Sequence, residues 1–122
     1  MKKLSAILGL VLIFNPLAYS MTIDEIFAMN KKSESTEEGK MYKRTIIKEL
    51  TSSSFMRVCI PPNGPKVNPF FMFFKIEKDG SVSLFEADPP SDATRCMKEN
   101  VLKTKFTPPK EPYMFGLHMK FR

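Results

Sequence analysis

The sequence predicts an α+β domain: a small antiparallel three-stranded sheet packed against two helices and closed by one disulfide. Three observations carry that expectation. In "FFMFFKIEKDGSVSLF" two apolar runs flank a Lys-Asp-Gly turn signal, the mark of a hairpin. The closing "YMFGLHMKF" alternates between two sets of side chains, which is the period of a strand. Finally, the two cysteines, Cys59 and Cys96, both follow an export-type leader, and an even pair in an oxidising compartment reads as a disulfide.

The leader is argued from order. Lys2 and Lys3 precede an apolar run from Leu4 to Phe14, then Pro16 and Ala18-Tyr19-Ser20 place small residues at the −3 and −1 sites of a cut. This is the secretory signal-peptide pattern, and the run is too short to span a bilayer core of roughly 30 Å. Residues 1–20 are therefore read as a signal peptide cleaved after Ser20, with an uncleaved N-terminal anchor as the rival. Residues 21–39 are read as a polar segment with a short helix, and 40–122 as the domain.

Loss of Lys2 and Lys3 takes the formal charge from +6 to +4. Asp24, Glu25, Glu34, Glu37 and Glu38 make the start acidic, while Lys103, Lys105, Lys110, Lys120 and Arg122 make the end basic. A basic surface attracts nucleic acid, anionic lipid or acidic protein, and export leaves nucleic acid the least accessible. The plain alternative is a solvated surface.

In chain order, Thr22 is an N-cap with Glu25 three residues on, a capping box before Ile23, Ile26 and Phe27. "KKSESTEEG" has no periodicity and is read as a linker. Ile46, Ile47, Leu50, Phe55, Val58 and Cys59 fit one helical stripe, interrupted by three serines; two short strands are the alternative. "IPPNGPKVNP" is a loop, since its four prolines cannot donate to a ladder.

The hairpin register follows from keeping one face apolar. A turn of Lys78-Asp79-Gly80, with Gly80 in the left-handed region, pairs Ile76 with Val82 and Phe74 with Leu84. Phe70, Met72, Phe74, Ile76, Val82 and Leu84 are then the core face. Phe71, Phe73 and Phe85 fall on the other face, with Phe73 across from Phe85. Ser91 caps a second helix whose Ala93, Cys96, Met97 and Val101 share a stripe, and Pro108-Pro109 ends any continuation. In the last strand Tyr113, Phe115, Leu117, Met119 and Phe121 point one way, Met114, Gly116, His118 and Lys120 the other. Closing the Cys59–Cys96 loop should stabilise the fold by about 3–4 kcal/mol in the chain-entropy picture.

The motifs "FFMFFKIEKDGSVS", "CMKENVLKTKFTPP" and "MFGLHMKF", in that order, resemble the C-terminal domain of TonB, the periplasmic energy-transducing protein. The shared features are the Asp79-Gly80-x-Val82 turn, the helix running into "KFTPP", and a final strand ending in Phe121. A branch of that family carries one Cys before the hairpin and another in the second helix, matching Cys59 and Cys96. The resemblance covers about Ile46 to Arg122. It implies the fold, a periplasmic address and a use in adding a strand or a face to a partner protein. TonB proper also has a membrane anchor, a long Pro-rich spacer and a Tyr-Pro opening the domain. This chain has at most some twenty polar residues as spacer and lacks the Tyr-Pro, which argues against energy transduction by this chain alone.

Catalytic chemistry has little to stand on. The single His118 lies on the polar side of the last strand. Ligand-spaced cysteines are missing, so no zinc site or other cofactor is expected. Glu86, Asp88 and Asp92 read as a turn and a helix start. The expectation is a protein that is not an enzyme, with a protein partner or self-association. Its candidate interface is Phe71, Phe73 and Phe85, with Lys120 and Arg122 on the last strand. Three readings of that second apolar face compete: cover by the N-terminal segment or the helix near Ile46–Leu50, an exposed protein interface, or a ligand site. A different class of reading is an envelope structural or inhibitor protein acting through its acidic N-terminal segment and Pro-rich loop. An anchored TonB-like transducer would need the first twenty residues to persist.

Overall fold

The computed structural model describes residues 21–121, so the expected signal peptide and Arg122 lie outside the described residues. Helix α1 (Ile23–Ser33) begins at the expected capping box. The Thr22 hydroxyl accepts the Glu25 N–H at 3.1 Å, and the Glu25 carboxylate accepts the Thr22 N–H at 2.8 Å. Asp24 and Glu25 in its first turn and Lys31 and Lys32 in its last suit the helix dipole.

The expected linker is largely helical. Only residues 34–36 separate α1 from α2 (Glu37–Thr51), because Thr36 is a second N-cap that accepts the Gly39 N–H at 2.9 Å, with Glu37 and Glu38 in the turn behind it. The boundary drawn at residue 39 thus falls inside α2. The three serines then end that helix. The Ser52 and Ser53 hydroxyls donate to the Lys48 and Leu50 carbonyls at 2.8 and 2.6 Å, which lets the chain turn before α3 (Phe55–Cys59). The single stripe expected over Ile46–Cys59 is therefore two helices at an angle. Ile46, Leu50 and Cys59 are buried, whereas Val58 is 70% exposed.

Strands β1 (Phe70–Ile76), β2 (Val82–Asp88) and β3 (Tyr113–Met119) form an antiparallel sheet in the order β2-β1-β3. The strand richest in phenylalanine is the central one. Ile76 pairs with Val82 and Gly80 has φ +90°, both as expected. One residue later the register departs: Lys75 pairs with Leu84, Phe74 with Phe85, and Phe73 with Glu86. Ser83 is the extra residue of a β-bulge, its hydroxyl bonded to the Glu77 carboxylate. The bulge exchanges the faces of two neighbours. Phe85, expected on the second face, is turned into the core at 4% exposure, its ring 6.2 Å from that of Phe74, and Leu84 leaves the core face. An apolar residue at both 84 and 85 hides the switch.

Helix α4 (Asp92–Val101) starts from Ser91 in a capping box with Thr94 and buries Thr94, Met97 and Val101. The expected disulfide is present: Cys59 and Cys96 are joined with Cα atoms 5.4 Å apart, tying α3 to α4. The Asn100 side chain donates to the Cys96 carbonyl at 2.8 Å beside it. The α+β class stands, with four helices among the described residues instead of two flanking the sheet. Phe74 is the centre of the core, with the rings of Phe115 and Phe106 at 4.8 and 5.5 Å.

Gly80 joins the hairpin to the chain after α4. Its carbonyl accepts the Phe106 N–H at 2.9 Å, and a Cβ on it would lie 2.2 Å from the Phe106 carbonyl oxygen. Gly80→Ala meets both a left-handed φ and a backbone clash. It should cost about 2 kcal/mol or more in urea unfolding of the oxidised protein; a loss below about 0.5 kcal/mol would mean that the Gly80–Phe106 contact is dispensable.

Candidate functional site

Alternation across the sheet places Phe71, Phe73 and Lys75 of β1 on the second face, with Leu84 and Glu86 of β2 and Met114, Gly116 and His118 of β3. Helix α1 covers one end of it. Two polar side chains fix the helix to the β3 edge. The Asn30 amide donates to the Met114 carbonyl at 3.0 Å, and the Ser33 hydroxyl accepts the Met114 N–H at 3.1 Å. Ile26 and Met114 are buried, while α2 carries Ile46 and Leu50 into the core on the other side of the sheet. The α1–α2 corner therefore wraps the β3 edge. Tyr113 holds it from the core side by donating its hydroxyl to the Gly39 carbonyl at 2.8 Å.

Gly116 makes the close approach possible. A Cβ there would sit 2.6 Å from the Phe73 ring and 2.9 Å from the Asn30 amide nitrogen. In its absence Phe73 lies across the strand, and Phe27 meets it edge-on with centroids 5.0 Å apart. Phe73 ends half-buried.

Beyond Phe73 the cover runs out. Ser33 and Asn30 meet Met114, and Phe27 meets Phe73 opposite Gly116, so α1 runs antiparallel to β3, with Ile23 a turn further toward His118. Ile23 is 61% exposed, Phe27 50% and Phe71 47%. Phe71 stacks on the His118 imidazole at 4.2 Å and 12°. The backbone opens at the same place. Alternate residues of an edge strand direct both N–H and C=O outward, so Gly116 and His118 share the direction of Met114. Gly116 is buried beneath Phe73 and Asn30, so of the two only His118, which is exposed, presents these groups openly, and among the described residues no side chain meets them.

Of the expected interface, Phe71 and Phe73 share this face, Phe85 is in the core, and Lys120 is exposed just past β3. Of the three phenylalanines, Phe73 lies under α1, Phe85 belongs to the core and Phe71 is exposed. Ile23 and Phe27 were expected, with Ile26, as an apolar face that covers the sheet, and not as part of an exposed patch. Their signal was the capping box: once α1 is a helix, Ile26 lies on one flank and Ile23 and Phe27 on the next, an apolar arc wider than one contact fills.

A second concavity lies by the disulfide, an open groove of about 540 Å³ lined by Val58, Pro61, Pro65, Val67, Pro90 and Cys96 among others. Titratable groups do not converge on either place. Burial pushes the Tyr42 hydroxyl, with Glu49 and Tyr113 adding to it, and the Tyr113 hydroxyl, with Glu34 adding, well above the ordinary tyrosine range. Both stay neutral donors, Tyr42 to the Thr107 carbonyl. Among the described residues no group of three or more His, Cys, Asp or Glu side chains is placed to hold a metal ion. In comparison with known proteins, no family model, no curated protein and no solved structure matches this chain.

Gly116→Ala should drive Phe73 or Asn30 off the strand and loosen α1, at a cost of about 1–3 kcal/mol. Hydrogen exchange should show α1 amides losing protection while those of β1 and β2 keep theirs. Unchanged α1 protection would show that Phe73 turns aside freely.

Proposed function

We propose that this chain is an exported, non-enzymatic protein-binding module, periplasmic or secreted, which grips its partner with the open end of the second sheet face and the adjoining β3 edge. One observation carries the reading: side-chain cover and edge cover end together. Ile23, Phe27 and the Phe71–His118 stack lie where the β3 edge passes from buried Gly116 to exposed His118, whose outward groups meet no side chain among the described residues. Large apolar side chains grouped on a surface mark interaction sites, and an uncovered strand edge beside them offers main-chain pairing. The disulfide favours an oxidising compartment. Among the described residues no helix is long and apolar enough to cross a membrane. Helix, hairpin, helix and strand follow in the order that the TonB-like motifs imply, and a domain that lends a strand or a face to another protein fits this site.

The second reading, an envelope structural or inhibitor protein, has its own support in the proline-lined groove beside exposed Val58. Deleting residues 21–38 cannot separate the two, because α1 seals Met114 and Phe73. Single sites can. A photoreactive side chain at Phe71 should give a covalent protein adduct in cells, and one at Val58 none; the reverse would move the function to the groove, and silence at both would remove the binding role. Phe71→Asp should lower stability by less than about 1 kcal/mol, the side chain being half exposed, and abolish the contact.

A further inference from the structure

We infer that the Cys59–Cys96 disulfide is a thiol-exchange site, at which a low-molecular-weight anionic thiol enters the proline-lined groove and becomes linked to Cys96. Three observations converge on it. The two cysteines differ in access: Cys59 is 7% exposed, whereas Cys96 is half-buried and borders the open groove of about 540 Å³. A cavity of that size admits a tripeptide-sized molecule. The groove is also positive on balance. Of the described residues lining it, two are charged, Lys66 and Asp92; Asp92 is paired with Arg95, and Lys66 has no ion-pair partner among the described residues. Finally, a hydrogen-bond donor stands over the bond. The Asn100 side-chain amide, held by the Cys96 carbonyl at 2.8 Å, lies 3.6 Å from the Cys59 sulfur and 3.8 Å from that of Cys96.

The step is an exchange with no net oxidation. A thiolate attacks the Cys96 sulfur, and its bond to Cys96 forms as the Cys59–Cys96 bond breaks. The electron pair leaves on the Cys59 sulfur, which takes a proton from water. A disulfide sulfur is a weak acceptor and a thiolate a strong one, so the Asn100 donor holds Cys59 more firmly as charge builds on it. The released Cys59 belongs to α3, five residues with no side-chain cap bond. A helix that short does not persist by itself. Its tie to α4 then rests on side-chain packing alone, and α3 with the proline loop loosens while the sheet keeps its pairing. The Cys59 thiol stays beside the mixed disulfide and, once deprotonated, expels the incoming thiol again, so the change is reversible. One wall of the groove is thus held or released according to the thiols around it.

The test is brief exposure of the oxidised chain, as recovered from the exporting cell and without denaturant, to glutathione, then quenching with N-ethylmaleimide and peptide mass mapping. Glutathione should be found on Cys96 and the maleimide on Cys59, in about tenfold or greater excess over the reverse. In urea, where both sulfurs are open, that preference should vanish. Lys66→Glu should slow modification by glutathione about threefold or more at low salt and leave modification by neutral mercaptoethanol unchanged. Asn100→Asp, which keeps the size and removes the donor, should slow both thiols about tenfold. Hydrogen exchange of the glutathione-bearing chain should quicken in α3 and residues 60–69, with β1 and β3 protected as before. Glutathione on Cys59 or evenly on both cysteines, no adduct with the folded chain, a rate indifferent to the charge at position 66, or a folded Asn100→Asp chain as fast as the parent would each overturn the inference.

Discussion

Strand β1 has a strand on each side and phenylalanine on both faces, and the rest of the molecule is arranged around that constraint. A central strand rich in large apolar residues needs two layers of cover, each buried ring contributing about 1.5–3 kcal/mol. The first layer is α2, α3 and α4 against Phe70, Met72, Phe74 and Ile76, and it is complete. Helix α1 is the second layer, and it spans only part of the face. The molecule's two halves thus differ in kind: one is a closed core, the other a surface left partly dry-sided and partly open.

Polar groups decide where α1 stops. Asn30 and Ser33 are matched to Met114, Glu34 to Lys43, and Gly39 to Tyr113, all at the α1–α2 corner. Each draws the C-terminal turn of α1 inward. At its N-terminal turn α1 buries Ile26, and its polar bonds there are those of its own capping box, with Glu25 turned back on Thr22. The helix is fixed at one end, so the aromatic side chains under its other end face water.

Much of this was legible in the residues, for local reasons. Thr22 with Glu25, Ser91 before its helix, and Asp79-Gly80 in the turn each act within a few positions, so spacing alone reveals them. The cysteine pair was legible because compartment and parity restrict the options. Ser83 was not: a bulge moves a strand by one position, and with Leu84 and Phe85 both apolar either phase satisfies an alternating pattern. Nor was the α1–α2 corner, because "KKSESTEEG" has no apolar period. Its second cap, Thr36 before Glu37-Glu38, was present but masked by the polar run around it. The partial cover of the second face depends on contacts such as Asn30 with Met114, 84 positions apart, that no local pattern encodes.

The clasp on Met114 also limits what the β3 edge can become. A strand arriving along it would find the outward groups of His118 and then run into buried Gly116 and the Asn30 amide, already bonded to the Met114 carbonyl. The N–H and C=O of that one residue are enough to bond one visiting peptide. They are too few to template the endless stacking by which bare sheet edges grow into fibres, so the corner that anchors a helix doubles as a safeguard for a protein with phenylalanine on both sides of its sheet.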